Sequence, residues 1–230
     1  MSIGTAGTGV ELYAADIAWP TCWRVIASQY VGRNLFDRVA SAADFDALRE
    51  IADLTGRRSL GTVDFVPPED RIYGPGAGMI IAAFTHPGAP SRFSDGTRDT
   101  YYAGDAPETA VAEWGYHHER RLRDGGSGPV ATDAALLAAT LDAELVDVRT
   151  GCPQPPDIYH PTDYAAGQSF ARGVRALGGD GIVYDSVRRL GGTCAAVFRP
   201  SALSGCVEAC SVSYVWDGRS LAPPTVRLTA

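Results

Sequence analysis

Apolar and polar positions along this 230-residue chain change period often, with no long uniform run. TCWRVIA (21–27) reads as a short strand carrying Arg24 between apolar neighbours. SAADFDALREIADLTG (41–56) spaces Phe45, Leu48, Ile51, Ala52 and Leu54 at near-helical intervals, with Ser41 as N-cap and Gly56 as the stop. VPPEDRIYGPGAG (66–78) is a Pro- and Gly-rich connection, and the apolar run MIIAAFTH (79–86) predicts a strand. GPGAG looks like a phosphate-binding glycine loop only on the surface. With no strand predicted before it and no helix after it, it fails the context test for a dinucleotide fingerprint.

DTYYAGD (99–105) predicts another short strand, after which Asp105 opens a helix. Asp105 and Glu108 are spaced for a capping box, and Pro107 sits in the tolerant first turn. That helix runs to about Arg123, with Ala110, Val111, Trp114 and His118 or Leu122 inward, and GGSG (125–128) ends it. AALLAATLDAELVDVR (134–149) fits either a helix or a strand, and TGCPQPPDIYHP (150–161) is a loop. DYAAGQSFARGVRALGGDG (163–181) is an amphipathic helix stopped by glycines. GIVYDSVR (181–188) and TCAAVFRP (193–200) read as strands about a glycine turn, and CVEACSVSYVWDG (206–218) alternates as a strand does. Short strands mixed with a few helices, without regular βαβ alternation, predict an α+β fold. The expectation is one compact domain of mixed small sheets with flanking helices.

Composition narrows the function. The chain is 45% apolar and 20% charged, as in ordinary globular proteins, and no window approaches a membrane-spanning length. The N-terminus lacks the basic and apolar regions of a signal peptide, so the expected location is cytoplasmic. A net charge of −7 argues against direct nucleic-acid binding. All 20 basic residues are arginines, which excludes a Walker lysine, a Schiff base and a lysine general base. Any anion site must therefore use the planar arginine fork. Cys22, Cys152, Cys194, Cys206 and Cys210 are irregularly spaced with no histidine near the C-x3-C pair, so no metal site is expected.

A serine hydrolase needs a nucleophile elbow of the G-x-S-x-G type, which this chain lacks. His86, His117, His118 and His160 do not have metal-ligand spacing, and the His117–His118 pair reads as helix face. Arginines, tyrosines, a glutamate and a serine remain. Glu113 lies two turns into its helix, on or beside the inner stripe. It is either a surface acid paired with Arg120 or Arg121, or the acid of a cleft. Arg92 and Arg98 read as turn arginines, and Ser186 as a strand-end hydroxyl. Tyr101 and Tyr102 alternate, so one faces the core and the other a cleft.

The ordered pieces CWR (22–24), SRF (91–93), YYAGDAPETAVAEWGYH (101–117), DYAAGQSFARGVRALGGDGIVYDSVRRLGG (163–192) and CAAVFRP (194–200) resemble the RES-domain family. The likeness spans roughly residues 20 to 218. It divides the chain into an N-terminal extension (1–19), a RES domain (20–220) with a longer insertion at about 30–90, and a tail (221–230). It implies a fold related to ADP-ribosyltransferase toxins and the toxin role in RES–Xre toxin–antitoxin pairs. NAD+ is then the substrate, cleaved at the nicotinamide–ribose bond by phosphate (phosphorylase) or water (glycohydrolase). Inorganic phosphate is a possible co-substrate, no bound cofactor or metal is needed, and an Xre-type antitoxin is the expected protein partner. Two other readings stand beside it: mono-ADP-ribosyl transfer to a protein, and a non-catalytic interaction module.

Carried over by motif, the resemblance makes Arg24, Glu113 and Ser186 catalytic. It makes Arg92, Tyr102, Tyr101 and Gln168 the substrate-binding set. Arg24 and Arg92 would fork the diphosphate, Tyr102 or Tyr101 would stack the cationic nicotinamide, and Glu113 would face the ribose. Ser186, in the Y-x-S-x-R element, would hold a phosphate or ribose oxygen. The chain departs from the family pattern at Phe93, where relatives carry Trp, at Val25, where some carry Tyr, and at Ala165, where some carry Ser.

Overall fold

In the computed structural model, the strand β4 (Val130–Asp147) organises the sheet. The described residues are 2–5, 11–30, 66–85, 88–97 and 100–228. The helix expected over 41–56, His86 and Arg98 lie outside them, as does most of the insertion expected at about 30–90. On one side β4 pairs antiparallel with β2 (Glu11–Ala27) from Ala14↔Val146 to Ala27↔Ala134. On the other it pairs antiparallel with β7 (Leu203–Trp216), and near its end it runs parallel to β5 (Gly181–Asp185).

β5 pairs with β6 (Thr193–Val197), β6 with β3 (Tyr101–Gly104), and β3 returns to β2 at Trp23↔Gly104. Because β2 also pairs with β4, these five strands close into a ring. β1 (Ser2–Thr5) and β8 (Thr225–Leu228) extend the sheet beyond β2 and β7. The fold class is α+β, as expected. Among the described residues its strands join in one eight-stranded mixed sheet, where the pattern of short strands suggested several small ones.

Of segment 134–149, ambiguous by pattern, residues 134–147 are strand, and Ala134 to Leu141 are paired along both edges. Ala134 to Leu137 are all buried, so the alternation that marks a half-exposed strand is absent. The predicted strand 79–86 is instead the helix α1 (Ala77–Thr85). Ile80 and Ile81 are each 1% exposed, and Met79, Ala83 and Phe84 pack partly buried around them. A short apolar run covered on all sides carries no period to separate strand from helix. GPGAG therefore does open a helix. Its Gly76 lies against the carbonyl of Cys206, where a Cβ would sit 2.1 Å from the oxygen, so β7 covers that helix end.

Two further helices place the chemistry. α2 (Pro107–Asp124) leans on β2, β3 and β7, with Ala110 buried and Val111 and Trp114 partly buried against Val25, Leu136 and Tyr214. α3 (Ala165–Ala176) lays Phe170, Ala171 and Val174 against Ile182, Tyr184 and Ala196. Successive β5 residues thus serve different layers: Val183 packs with the ring interior of Tyr101, Leu137 and Val197, while Ile182 and Tyr184 face α3. The N-terminal half of β2 shares this core, since Leu12 and Ile17 are buried at 2% and 6% exposure.

Candidate active site

The site forms where β3 hands over to α2. Asp105 ends the β3–β6 ladder by donating its amide to the Thr193 carbonyl at 2.9 Å. The capping box expected from Asp105 and Glu108 is not made. The N-cap is Ala106 with no side-chain bond, and the Asp105 carboxylate instead accepts from the Thr109 hydroxyl at 2.8 Å. Thr109 is wholly buried and also accepts from Arg189 Nη1 at 3.1 Å.

Two glycines let this first helical turn settle so deeply. A Cβ on Gly104 would meet the Ala110 amide nitrogen and Thr109 Cβ at 2.9 Å, and one on Gly192 would meet Thr109 Oγ1 at 2.7 Å. The helix is thereby pinned to β3 below and to the 186–192 turn beside it. One turn further along α2, this docking brings Glu113 to Ser186.

Ser186 Oγ donates to Glu113 Oε1 at 2.6 Å and accepts the amides of Arg188 (3.1 Å) and Arg189 (3.0 Å). Its own amide donates to the Gly192 carbonyl at 2.8 Å, closing the turn. The Cys194 thiol also points at Glu113 Oε1, at 3.8 Å. Burial first, and the Glu113 charge next, push that thiol well above its ordinary pKa, so it stays a neutral donor. Glu113 is therefore not the surface acid of an Arg120 or Arg121 pair. Arg120 pairs with Asp124 at 3.5 Å, and the Arg121 guanidinium lies 5.7 Å from the Trp114 ring centre.

Glu113 faces a cavity of about 670 Å³ that also touches Arg24, Arg92, Tyr102, His117, Gln168 and Arg188. Its wall is strongly cationic. His117, one turn beyond Glu113, is held down to about 4 by burial first and then by the charges of Arg188, Arg121, Arg120 and Arg92. A neutral imidazole and the carboxylates of Glu113, Asp124 and Asp163 thus share the wall with five guanidinium groups.

The residues expected from the sequence take different places around this cavity. Arg24 lines it, with Nη1 on the Tyr102 carbonyl at 3.3 Å and its guanidinium 4.6 Å from the Tyr101 ring centre. Tyr102 lines it too. Its hydroxyl shares a 2.8 Å bond with Ser91 Oγ and accepts the Phe93 amide at 2.9 Å, so the ring is fixed to the 91–94 turn. Burial raises its pKa. Gln168 lines the cavity and ties down the same turn through Nε2, on the carbonyls of Ser91 (3.0 Å) and Ser94 (3.3 Å).

Tyr101, Arg92 and Ser186 make contacts of other kinds, although Arg92 also lines the cavity. Tyr101 is 0% exposed, packs at 6.4 Å from the Phe84 ring, and does not line the cavity. Adjacent strand residues face opposite ways, and Tyr101 takes the core side. Arg92 is 7% exposed and spends Nη1 on the carbonyls of Ile158 (2.6 Å) and His160 (3.0 Å), so it braces the 150–161 loop. Ser186 stands behind Glu113 and is not part of the cavity lining. Its hydroxyl is already committed as donor and acceptor, so it positions the carboxylate.

His117, Arg188, Cys194 and Ser91 belong to the site and were not singled out for it. His117 was signalled by its i+4 spacing from Glu113, and Arg188 by its place two residues after Ser186. Ser91 and Cys194 open the SRF and CAAVFRP pieces without a role of their own being read from them; Ser91 bonds Tyr102, 11 residues on, and Cys194 reaches Glu113 across 81 residues.

No curated protein matches the chain. Among solved structures it is similar to a chain of the M. tuberculosis MbcT–MbcA toxin–antitoxin complex. The two share 14% identity over 85% of this chain and 86% of that one, with a TM-score of 0.40, too remote to carry residue roles. A model of the RES domain matches residues 69–217, well over half of the sequence, and that stretch contains Arg92, Tyr102, Glu113, Gln168 and Ser186: the chain belongs to the RES-domain family.

Proposed function

We propose that this chain is the toxin of a toxin–antitoxin pair and that it destroys NAD+ by breaking the nicotinamide–ribose bond. The observation that carries the reading is the Glu113 carboxylate, held by Ser186 at 2.6 Å and facing a cavity walled by arginines. NAD+ asks for such a site: a diphosphate for guanidinium groups, a cationic ring for an aromatic face, and a ribose that becomes positive during reaction.

In this reaction the bond between ribose C1″ and the nicotinamide nitrogen breaks, and its electron pair leaves with nicotinamide, which departs neutral. Positive charge moves onto the ribose as an oxocarbenium-like state. Glu113, fixed by Ser186 and Cys194, supplies the compensating negative charge. Water attacking C1″ gives ADP-ribose and releases a proton; hydrogen phosphate gives ADP-ribose 1″-phosphate. The ring of Tyr102, immobilised through its hydroxyl, is the platform for the nicotinamide.

Membership of the RES family supports an antitoxin of Xre type as the protein partner. Among the described residues no helix is long and apolar enough to cross a membrane, and the proposed place of action is the cytoplasm, where NAD+ is found. The test is purified protein with labelled NAD+, with and without phosphate, followed by product analysis. Free nicotinamide with ADP-ribose or its 1″-phosphate supports the proposal. Label on protein instead assigns macromolecular ADP-ribosylation, and intact NAD+ rejects the reading.

A further inference from the structure

Several guanidinium groups touch the cavity, and most are already engaged. Arg92 is buried with Nη1 on two carbonyls, Arg24 is bonded to the Tyr102 carbonyl over the Tyr101 ring, and Arg120 is paired with Asp124. Arg188 differs. Its guanidinium carbon lies 3.3 Å from the Tyr116 ring centre, and Nη2 donates to the Pro161 carbonyl. Its Nε is buried without any hydrogen-bond partner, and among the described residues Arg188 makes no ion pair. An arginine carries five N–H donors in a planar fork, and here only Nη2 has a partner.

A buried, unpaired guanidinium N–H costs stability with no return inside the protein, so its persistence needs a reason. The aromatic ring beneath it and the anchored Nη2 hold the plane still while leaving the rest of the fork unused. The charge also acts on the cavity, since after burial Arg188 is the strongest influence holding His117 neutral. We propose that Arg188, stacked on Tyr116, is the group that binds the diphosphate of the dinucleotide, the task for which sequence resemblance pointed to Arg24 and Arg92. This inference rests on the proposed NAD+ reading and names the anion subsite within it.

The experiment measures ADP-ribose binding by calorimetry, alongside NAD+ turnover, for the full-length protein and Arg188→Ala. ADP-ribose keeps the diphosphate and lacks nicotinamide, so binding is read without turnover. The expected result is a ten- to hundredfold weaker affinity for ADP-ribose and a comparable rise in KM for NAD+, with kcat changed less. Adenosine, which has no phosphate, serves as reference and is expected to bind both proteins alike. Arg188→Lys keeps the charge without the fork and is expected to recover only part of the affinity. Tyr116→Leu removes the platform and is expected to weaken binding with Arg188 in place. These two variants carry the test if Arg188→Ala does not fold.

Unchanged ADP-ribose affinity in folded Arg188→Ala overturns the inference, even if the protein cleaves NAD+. So does a wild-type protein that does not bind ADP-ribose, or Arg188 dependence seen with inorganic phosphate but not with ADP-ribose. If wild type binds ADP-ribose through Arg188 yet leaves NAD+ intact, the subsite stands and the proposed reaction falls.

Discussion

The hydroxyl of Ser186 lies 2.6 Å from a carboxylate oxygen of Glu113, across 73 residues of sequence. The serine also receives two amides of its own turn, so one oxygen joins the β5–β6 connection to the helix that carries the acid. Glu113→Gln preserves the acceptor for Ser186 and removes the charge. We expect NAD+ cleavage to fall by at least about 100-fold, or about 2.7 kcal/mol of barrier, with the melting temperature nearly unchanged. Ser186→Ala is expected to lose about 10-fold through a loosened carboxylate. Near wild-type turnover in Glu113→Gln, measured as nicotinamide release, removes Glu113 from the chemistry.

Arg92 is expected to behave as a brace. Its Nη1 binds two carbonyls of the 150–161 loop from a buried position, and Arg92→Ala strands both. Charged hydrogen bonds of this kind set the cost at about 3 kcal/mol. Arg92→Lys is expected to lose more than half as much, because an ammonium does not reproduce the guanidinium geometry. Denaturant unfolding of the two variants decides the matter. Wild-type stability in Arg92→Ala with activity lost would make Arg92 a substrate ligand instead.

The stretch from Tyr101 to Arg123 was legible from sequence, strand and helix alike, because an alternating tyrosine pair and an apolar-striped helix each carry their own period, although the expected cap is not made. α1 and β4 were not, since apolar cover on every side erases the period that separates strand from helix. For the site, residue type and family motif pointed to Arg24, Arg92, Tyr102, Glu113 and Gln168, which line one cavity. What they do there depends on side-chain partners. Whether Arg92 faces ligand or carbonyl, and whether Ser186 serves substrate or Glu113, depends on partners more than 60 residues away in the chain. Local sequence carries no such information.

Gly192 offers a test of how the site is assembled. A Cβ there would lie 2.7 Å from Thr109 Oγ1, a hydroxyl held by both Asp105 and Arg189 and unable to retreat. Gly192→Ala is expected to cost about 1–3 kcal/mol by overpacking and to part Ser186 from Glu113. Activity should then fall further than in Ser186→Ala. Gly128→Ala, where a Cβ would meet nothing within 4 Å, is the matched control and is expected to be neutral. Equal stability and activity in the two variants would show that the turn accommodates the methyl and that the close approach does not set the geometry.

His117 gives the fold a pH dependence with a definite sign. Its pKa in the folded protein is held down to about 4 by burial, with Arg188, Arg121, Arg120 and Arg92 adding to it, against 6.5 for a free histidine. Above pH 6.5 the side chain is neutral in both states and the stability is fully present. As pH falls from 6.5 towards 4, the unfolded chain takes up a proton that the folded chain refuses. Stability therefore drops across that window, by about 3 kcal/mol at most. His118 is shifted the same way by burial and Arg121, but it remains in both proteins and cancels in a comparison. Urea unfolding of wild type and His117→Asn at pH 7.5 and pH 5 should show a clearly smaller acid loss in the variant. An equal loss in both would mean that neither burial nor the surrounding arginines hold the His117 pKa down in the folded protein.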